Sequence, residues 1–495
     1  MKQDDFLFYS ATKIAELIRR GELTSEQVTS ALIQRIHTYD QKVNAVVNKD
    51  LEKLINDAKR ADRELNKGIV RGPLHGVPIT IKESYAIKGM KTTIGYTPFK
   101  EYTTEYDATV VRRLKEAGAL IIGKTNVPPL LMDLQTDNEI YGRTNNPWDL
   151  NRTPGGSSGG GAAAVAACFS YLDIGSDIGG SLRIPAHYCG VYSLKPTEHS
   201  VSAFGHFPMP KKSKPPEYRS SRHLACYGPL ARSIDDLILA YSTITGSDLN
   251  DMKVPPLNNH KIEKLNLSNF KIAWMDQLEE VPADREVIDY IHRYVEKLKS
   301  LGIQTVKIEQ FPVSTNKVWQ TWGKMIDAEL NSGKPSLIRG IEHFFTRNLQ
   351  KKYPTSSKLI PLTFKNYMRT LTQREDLISS FEAFMQSYEM FILPVSVTAA
   401  FPHIKKDKLI GYQPIYKNPV YVDDKPMNYW QATGAYTNLF NVLANPVVTI
   451  PIGLNKDNMP VGVQCVGKRW DDFKLLHTVN QIVNELNMDV PKVPF

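Results

Sequence analysis

Cysteine is scarce in this chain. The four cysteines, Cys168, Cys189, Cys226 and Cys465, have no close pairing and sit in apolar settings such as "AACFS" and "VGVQCVG". That pattern argues against a disulfide scaffold or a cysteine metal site and predicts buried free thiols in a reducing compartment. Long apolar runs are missing as well. Nowhere do about eighteen apolar residues follow one another, so no membrane-spanning helix is expected. The opening residues, "MKQDDFLFYS", carry acids where a secretory signal needs a basic stretch. A cytoplasmic location is the resulting expectation. Concentrated charge of one sign is also lacking, because the net charge of +9 is dispersed. The two short basic clusters, "PKKSKP" at 210–215 and "KKDK" at 405–408, lie among prolines and acids and read as solvated loops. No nucleic-acid partner is expected.

What is present is ordinary globular composition, 42% hydrophobic and 23% charged, over 495 residues. Helix and strand signals alternate. Thr24 and Gln27 form a capping-box pattern before an amphipathic run to about His37. "GVPITI" at 76–81 reads as a buried strand. Asp107 is placed to cap a helix bearing Val110, Val111, Leu114 and Ala117; Gly118 stops it and "ALIIG" follows as a strand. The same order recurs at 284–308. Near the C-terminus "PVVTIPIG" and "PVGVQCVG" flank a Lys-Asp-Asn turn and read as paired strands before a closing helix. The expected fold is α/β: one large domain over 1–495, with a twisted mixed sheet covered by helices on both faces. Its core is expected at about 70–240 and 430–490. Residues 313–388 read as mostly helical, with interrupted periodicity, two proline-marked breaks and no obvious exposed apolar cap. Surface loops are expected at 208–221 and 247–268.

The stretch "TPGGSSGGGAAAVAA" (153–167) is the least ordinary. A flexible linker is excluded by context, since Ala162 to Ala167 is a strong helix-forming run. A nucleotide phosphate loop needs Gly-Lys-Ser/Thr, and no lysine lies between Arg152 and Lys195. Gly155 to Gly159 matches G-x-S-x-G, but the strand that must run into a nucleophile elbow is forbidden by Pro147, Asn151 and Pro154. Nothing marks His187, His199, His206 or His223 as a base; each reads as structural or surface. A second Gly/Ser turn, "DIGSDIGGSLRIPA" at 173–186, follows a strand ending at Leu172 to Ile174. It is either a tight turn only or one whose N–H groups face a developing oxyanion, with Ser181 at its edge.

Taken together these segments resemble the amidase signature family of serine hydrolases. The resemblance rests on "GPLHGVPITIKES" (72–84), "NPWDLNRTPGGSSGGGAAAVAA" (146–167), "GSDIGGSLRIPAHYCGVYSLKPT" (175–197), "GPLARSIDDL" (228–237) and the C-terminal "NPVVTIPIG" and "MPVGVQCVGKRWDD". It runs from about residue 10 to the end, although 310–390 carries no matching motif, and it implies that 313–388 is a variable helical region on the substrate side. It implies a Ser–Ser–Lys triad: Ser181 as nucleophile, Ser157 as the bridging serine after a cis peptide bond, and Lys82 as base. It further implies an oxyanion hole from the N–H groups of Ile178, Gly179, Gly180 and Ser181. Ser158, Ser176, Asp177 and Arg183 would stand behind the triad, Asp177 and Arg183 holding the turn and Ser158 satisfying its own loop. The implied activity is hydrolysis of a small-molecule amide through an acyl-serine intermediate, without cofactor or metal, by a monomer or homodimer. "KTNVPPLLMDLQTDNEIYGRTNNPWD" resembles the fatty-acid-amide-hydrolase branch more than the A-type subunit of glutamyl-tRNA amidotransferases. By position Leu131, Met132 and Leu134 would line an acyl channel, with core packing the alternative. A partly apolar acyl or aryl amide is the expected substrate. The alternatives are a lipid amide hydrolase and a glutamine amidotransferase subunit of the A type.

Overall fold

In a computed structural model of the chain, residues 5–208, 222–257, 265–331, 363–410, 413–488 and 492–495 are described. Among them an 11-stranded sheet runs through the molecule. In chain order its strands are β1 (Val46–Lys49), β2 (Pro78–Lys82), β3 (Leu120–Thr125), β4 (Leu172–Asp177), β5 (Tyr192–Lys195) and β6 (Cys226–Ala231). They continue with β7 (Lys271–Trp274), β8 (Gln304–Lys307), β9 (Met390–Pro394), β10 (Val447–Leu454) and β11 (Pro460–Val466). The spatial order is β1-β3-β2-β4-β6-β5-β10-β11-β9-β7-β8. β2 pairs in parallel with both β3 and β4, and β7 with both β8 and β9, while the strands between are antiparallel. The sheet is therefore mixed, as expected for this α/β fold.

The central strands β2, β4 and β11 are buried along their whole length, on both faces, and the polar residues they carry, such as Lys82, Asp173, Asp177 and Gln464, are buried with them. Helices such as Leu51–Asn66 and Arg285–Ser300 pack one apolar face against the sheet. Thr24 and Gln27 do form a capping box, and the helix they open runs to Val43, beyond the expected end. Gly118 adopts φ +92° where the helix Thr109–Glu116 stops, a conformation that favours glycine. Asp107 does not cap that helix. The residue before its first turn is Ala108, and the Asp107 carboxylate accepts instead from Lys88 N–H and Lys115 Nζ. The helix Arg285–Ser300 buries Val287, Ile291, Val295 and Leu298 and leads into β8, and β10 and β11 pair as read.

Two expectations about strands and helices need correction. The strand at 172 does not end at Ile174; β4 continues to Asp177 because Gly175 to Asp177 keep pairing with β6. In 313–388 the described helices are Thr315–Asn331 and Phe364–Met385, and the latter leaves Phe364 82% and Met368 45% exposed, one turn apart. Residues 332–362, nearly all of the expected loop 208–221, and 258–264 of the loop 247–268 lie outside the described residues.

Candidate active site

Lys82 closes β2, and the ends of β3 and β4 close beside it at Thr125 and Asp177. In parallel arrangements this C-terminal edge is where ligands are held. The Lys82 side chain is fully buried. Its Nζ lies 2.8 Å from Ser157 Oγ, 2.8 Å from Ser158 Oγ and 3.0 Å from Ser176 Oγ. It also lies 3.3 Å from the Ser176 carbonyl oxygen. Burial lowers its pKa to about 7, against the weaker opposing pull of Asp173 and Asp177. No carboxylate touches the amine among the described residues, so its charge is compensated only in part and without direct contact. The first turn of α1 (Gly159–Ala166) starts at Ser158 and presents its positive end on the same side, which disfavours a cation further.

The Gly/Ser stretch is thus a turn into a helix, buried throughout, with the Gly156–Ser157 peptide bond cis. Its glycines are needed for contact. A Cβ on Gly156 would stand 2.7 Å from the Gln135 carbonyl oxygen, and one on Gly160 would stand 2.3 Å from Asn126 N. Ser158 does more than satisfy its own loop. Its hydroxyl touches Lys82 Nζ and donates to the Ser176 carbonyl oxygen at 3.2 Å.

The second turn, 178–182, joins β4 to α2 (Arg183–Cys189). Asp177 and Arg183, both buried, meet through two contacts of 2.8 and 3.1 Å. Burial pushes the Asp177 carboxyl up, but the Arg183 guanidinium more than reverses this and holds it well below the usual carboxylate range. Arg183 is itself anchored by Thr437 O, Asn441 Oδ1 and Gln464 Oε1 at 2.7–2.8 Å. The two turns meet where Ser158 N–H donates to Ser181 O at 3.2 Å. Among the described residues no hydrogen bond engages the Ser181 hydroxyl, and the side chain is 4% exposed.

The four N–H groups expected to face an oxyanion are not equivalent. Gly180 N–H donates to Asp177 Oδ1 at 2.8 Å and is already used. Those of Ile178, Gly179 and Ser181 have no such partner among the described residues. Elsewhere, Leu131 and Met132 are half-buried on a 3-10 turn, whereas Leu134 joins the hydrophobic core. The segment from Asp133 to Gln135 backs directly onto Gly156.

Several residues here had no sequence signal. His206 Nε2 lies 3.0 Å from Ser176 Oγ, completing a chain from Lys82 through Ser176 to a ring packed between Tyr85 and Tyr227. Burial, and then the Lys82 charge, push its pKa well down, so the imidazole is neutral. His187 accepts from Gly462 N–H through Nδ1 and faces Thr398 O with Nε2, a structural role as read. Trp322, Thr437, Asn441 and Gln464 come from the C-terminal half and support the second turn. One cluster, Glu198, His199 and His223, brings donor atoms within 4.8 Å of one another. Both Glu198 oxygens already accept, from Leu224 N–H and Arg374 Nη2, and the Arg374 guanidinium opposes a cation there.

Residues 27–476 match the family described as Amidase. The chain is 30% identical to the Acylamidase of Rhodococcus erythropolis, over 97% of this chain and 95% of that protein. It is equally 30% identical to the A-type subunit of the Glutamyl-tRNA(Gln) amidotransferase of Moorella thermoacetica, over 95% of each chain. Among solved structures, Fatty acid amide hydrolase superposes with a TM-score of 0.80 at 24% identity, covering 99% of this chain and 87% of that one. That likeness concerns the fold.

Proposed function

This chain belongs to the amidase family of amide C–N hydrolases, and we propose that it cleaves a carboxylic amide through an acyl-Ser181 intermediate, with Ser157 as proton bridge and Lys82 as base. The observation that carries this reading is the Lys82 amine, buried, at a pKa of about 7 and 2.8 Å from Ser157 Oγ. An amine at its ordinary pKa near 10 is a poor base at neutral pH; one near 7 is neutral often enough to accept a proton.

Neutral Lys82 accepts the Ser157 hydroxyl proton while Ser157 accepts that of Ser181. Ser181 Oγ bonds to the amide carbon, and the carbonyl π electrons move onto oxygen. The Ile178, Gly179 and Ser181 N–H groups stabilise that oxyanion. The C–N bond then breaks, the proton returns through Ser157 to the leaving nitrogen, and amine departs. Water, activated by the same relay, attacks the ester, releasing acid and restoring Ser181. Ser158 and Ser176 hold the lysine amine, and Asp177 and Arg183 hold the turn.

The substrate is a small, partly apolar acyl or aryl amide, consistent with similarity to an acylamidase and with half-buried Ile178 and Trp322 at the turn that carries Ser181. Leu131 and Met132 are its channel-lining candidates. We take the enzyme to be a cytoplasmic monomer or homodimer built as one domain over 1–495. No described helix is long and apolar enough to cross a membrane. A second reading, a glutamine amidotransferase subunit, draws on the likeness to the Moorella thermoacetica protein. The purified chain with an acyl anilide separates the two: turnover without partner subunits supports the hydrolase, and glutaminase activity dependent on partners supports the second reading. Ser181→Ala should abolish turnover, and a fluorophosphonate should label Ser181 in the wild-type protein. Label on another residue would overturn the assignment.

A further inference from the structure

A peptide unit is planar, with its C=O and the following N–H pointing in opposite directions. Fixing a carbonyl therefore aims the next residue's N–H. In the turn after β4 every carbonyl is held by a different donor. Asp177 O accepts from Asn441 Nδ2 at 3.3 Å, and Ile178 O accepts from the Trp322 indole Nε1 at 2.8 Å. Gly179 O accepts from Thr437 Oγ1 at 2.7 Å, and Gly180 O from Ile184 N–H at 2.8 Å. Ser181 O accepts from Ser158 N–H at 3.2 Å.

The N–H groups these bonds aim fall into two sets. Those of Gly180 and Leu182 donate to the Asp177 carboxylate at 2.8 and 3.0 Å, which holds them independently of the carbonyl bonds. Those of Ile178, Gly179 and Ser181 are left pointing elsewhere. The Gly179 N–H is oriented by Trp322 alone, since the Ile178 carbonyl it shares a plane with has no other donor among the described residues. The same indole closes over the turn. A Cβ on Gly179 would lie 3.1 Å from a Trp322 ring carbon and 2.8 Å from Asn438 Oδ1. Trp322 stands on α3 (Thr315–Asn331), inside the stretch that carries no family motif. Trp319, one turn earlier, uses its indole in the same manner to hold Ala435 O at 2.9 Å. The helix is thereby registered against the backbone it braces.

We infer that Trp322 is a positioning residue for the reaction: its indole N–H, by holding Ile178 O, aims the Gly179 N–H at the oxyanion formed on attack by Ser181. This rests on the reading of Ser181 as nucleophile. A donor aimed at the charge that develops on attack stabilises the transition state more than the neutral ground-state amide, so the effect is expected in kcat.

The test compares wild type with Trp322→Phe and with a protein carrying benzothienylalanine at 322, which keeps the fused ring and lacks the N–H. Four quantities are read on an acyl anilide substrate: kcat, KM, inhibition by a trifluoromethyl ketone, and inhibition by the product acid. Loss of an oxyanion donor itself costs roughly 10²–10³-fold, and loosening one should cost about tenfold in kcat. KM and product-acid binding should stay within about twofold, while the trifluoromethyl ketone, whose adduct carries the oxyanion, weakens by the same factor as kcat. A kcat within about twofold of wild type in the benzothienylalanine protein would overturn the inference. So would equal weakening of both inhibitors, which marks a general disturbance. If Trp322→Phe fails to fold, the isosteric replacement alone decides. Fluorophosphonate labelling of wild type separates the two levels: label away from Ser181 defeats the nucleophile assignment, whereas label on Ser181 with unchanged kcat in both variants defeats only the role of Trp322.

Discussion

Lys82 and Lys124 stand on neighbouring strands, β2 and β3, paired one step out of register with each other, and both are fully buried. Burial lowers both pKa values, to about 7 for Lys82 and about 8 for Lys124. Their surroundings differ in kind. Lys124 Nζ donates to the Lys91 carbonyl oxygen at 2.7 Å and to Thr92 Oγ1 at 2.6 Å, and the Glu83 carboxylate lies near enough to favour its charge. Glu83 in turn accepts from Thr93 and Ile94 N–H at 2.6 Å, so this pair braces the loop after β2. Lys82 faces three serine hydroxyls and the Ser176 carbonyl oxygen, and among the described residues no carboxylate touches it. A carboxylate nearby favours the ammonium, so Glu83 calls for a lysine at 124 that keeps its proton. A hydroxyl can donate as well as accept, so it tolerates a neutral amine and can exchange a proton with it. Burial alone is therefore not the mark of a base; the partners decide.

That contrast can be broken in several ways. Lys82→Met should lower kcat by about 10²–10⁴-fold with the fold retained by circular dichroism, whereas Lys124→Met should change kcat far less and lower the melting temperature instead. Equal losses in kcat would remove the distinction. If neutral Lys82 is the working form, kcat/KM must fall as pH drops through about 7, because protonation removes the acceptor. A profile flat from about pH 6 to 9, measured with an acyl anilide, would point to another base. The smallest effect concerns Asp173, whose negative charge favours the protonated lysine. Asp173→Asn should move the acid limb to lower pH, and a move to higher pH would contradict the electrostatic account.

Much of the candidate site was legible because its chemistry and its geometry both leave marks on residue type. Lys82, ending an apolar strand, was marked as a base only by the family resemblance, whereas glycines at 156 and 160 are demanded by backbone within 3 Å and so stand out in the chain. The buried thiols were legible for the same reason. Asp107 shows the opposite case. Its position predicted a cap, but Lys115 and Lys88 N–H offered it other partners, and a short side chain at a helix start takes whichever donor the fold brings. His206 and Trp322 left no local signature, since each meets the site through residues distant in sequence.

Local pattern, then, was enough to establish the α/β alternation, the two Gly/Ser turns and the lysine that closes β2, because each depends on neighbours along the chain. Only tertiary packing decided that Ser176 and Ser158 share the lysine amine, that Gly180 N–H is spent on Asp177, and that a tryptophan 144 residues away holds the Ile178 carbonyl. Hydrogen bonds of that kind are set by where strands and helices meet. No period or motif in the chain encodes the meeting.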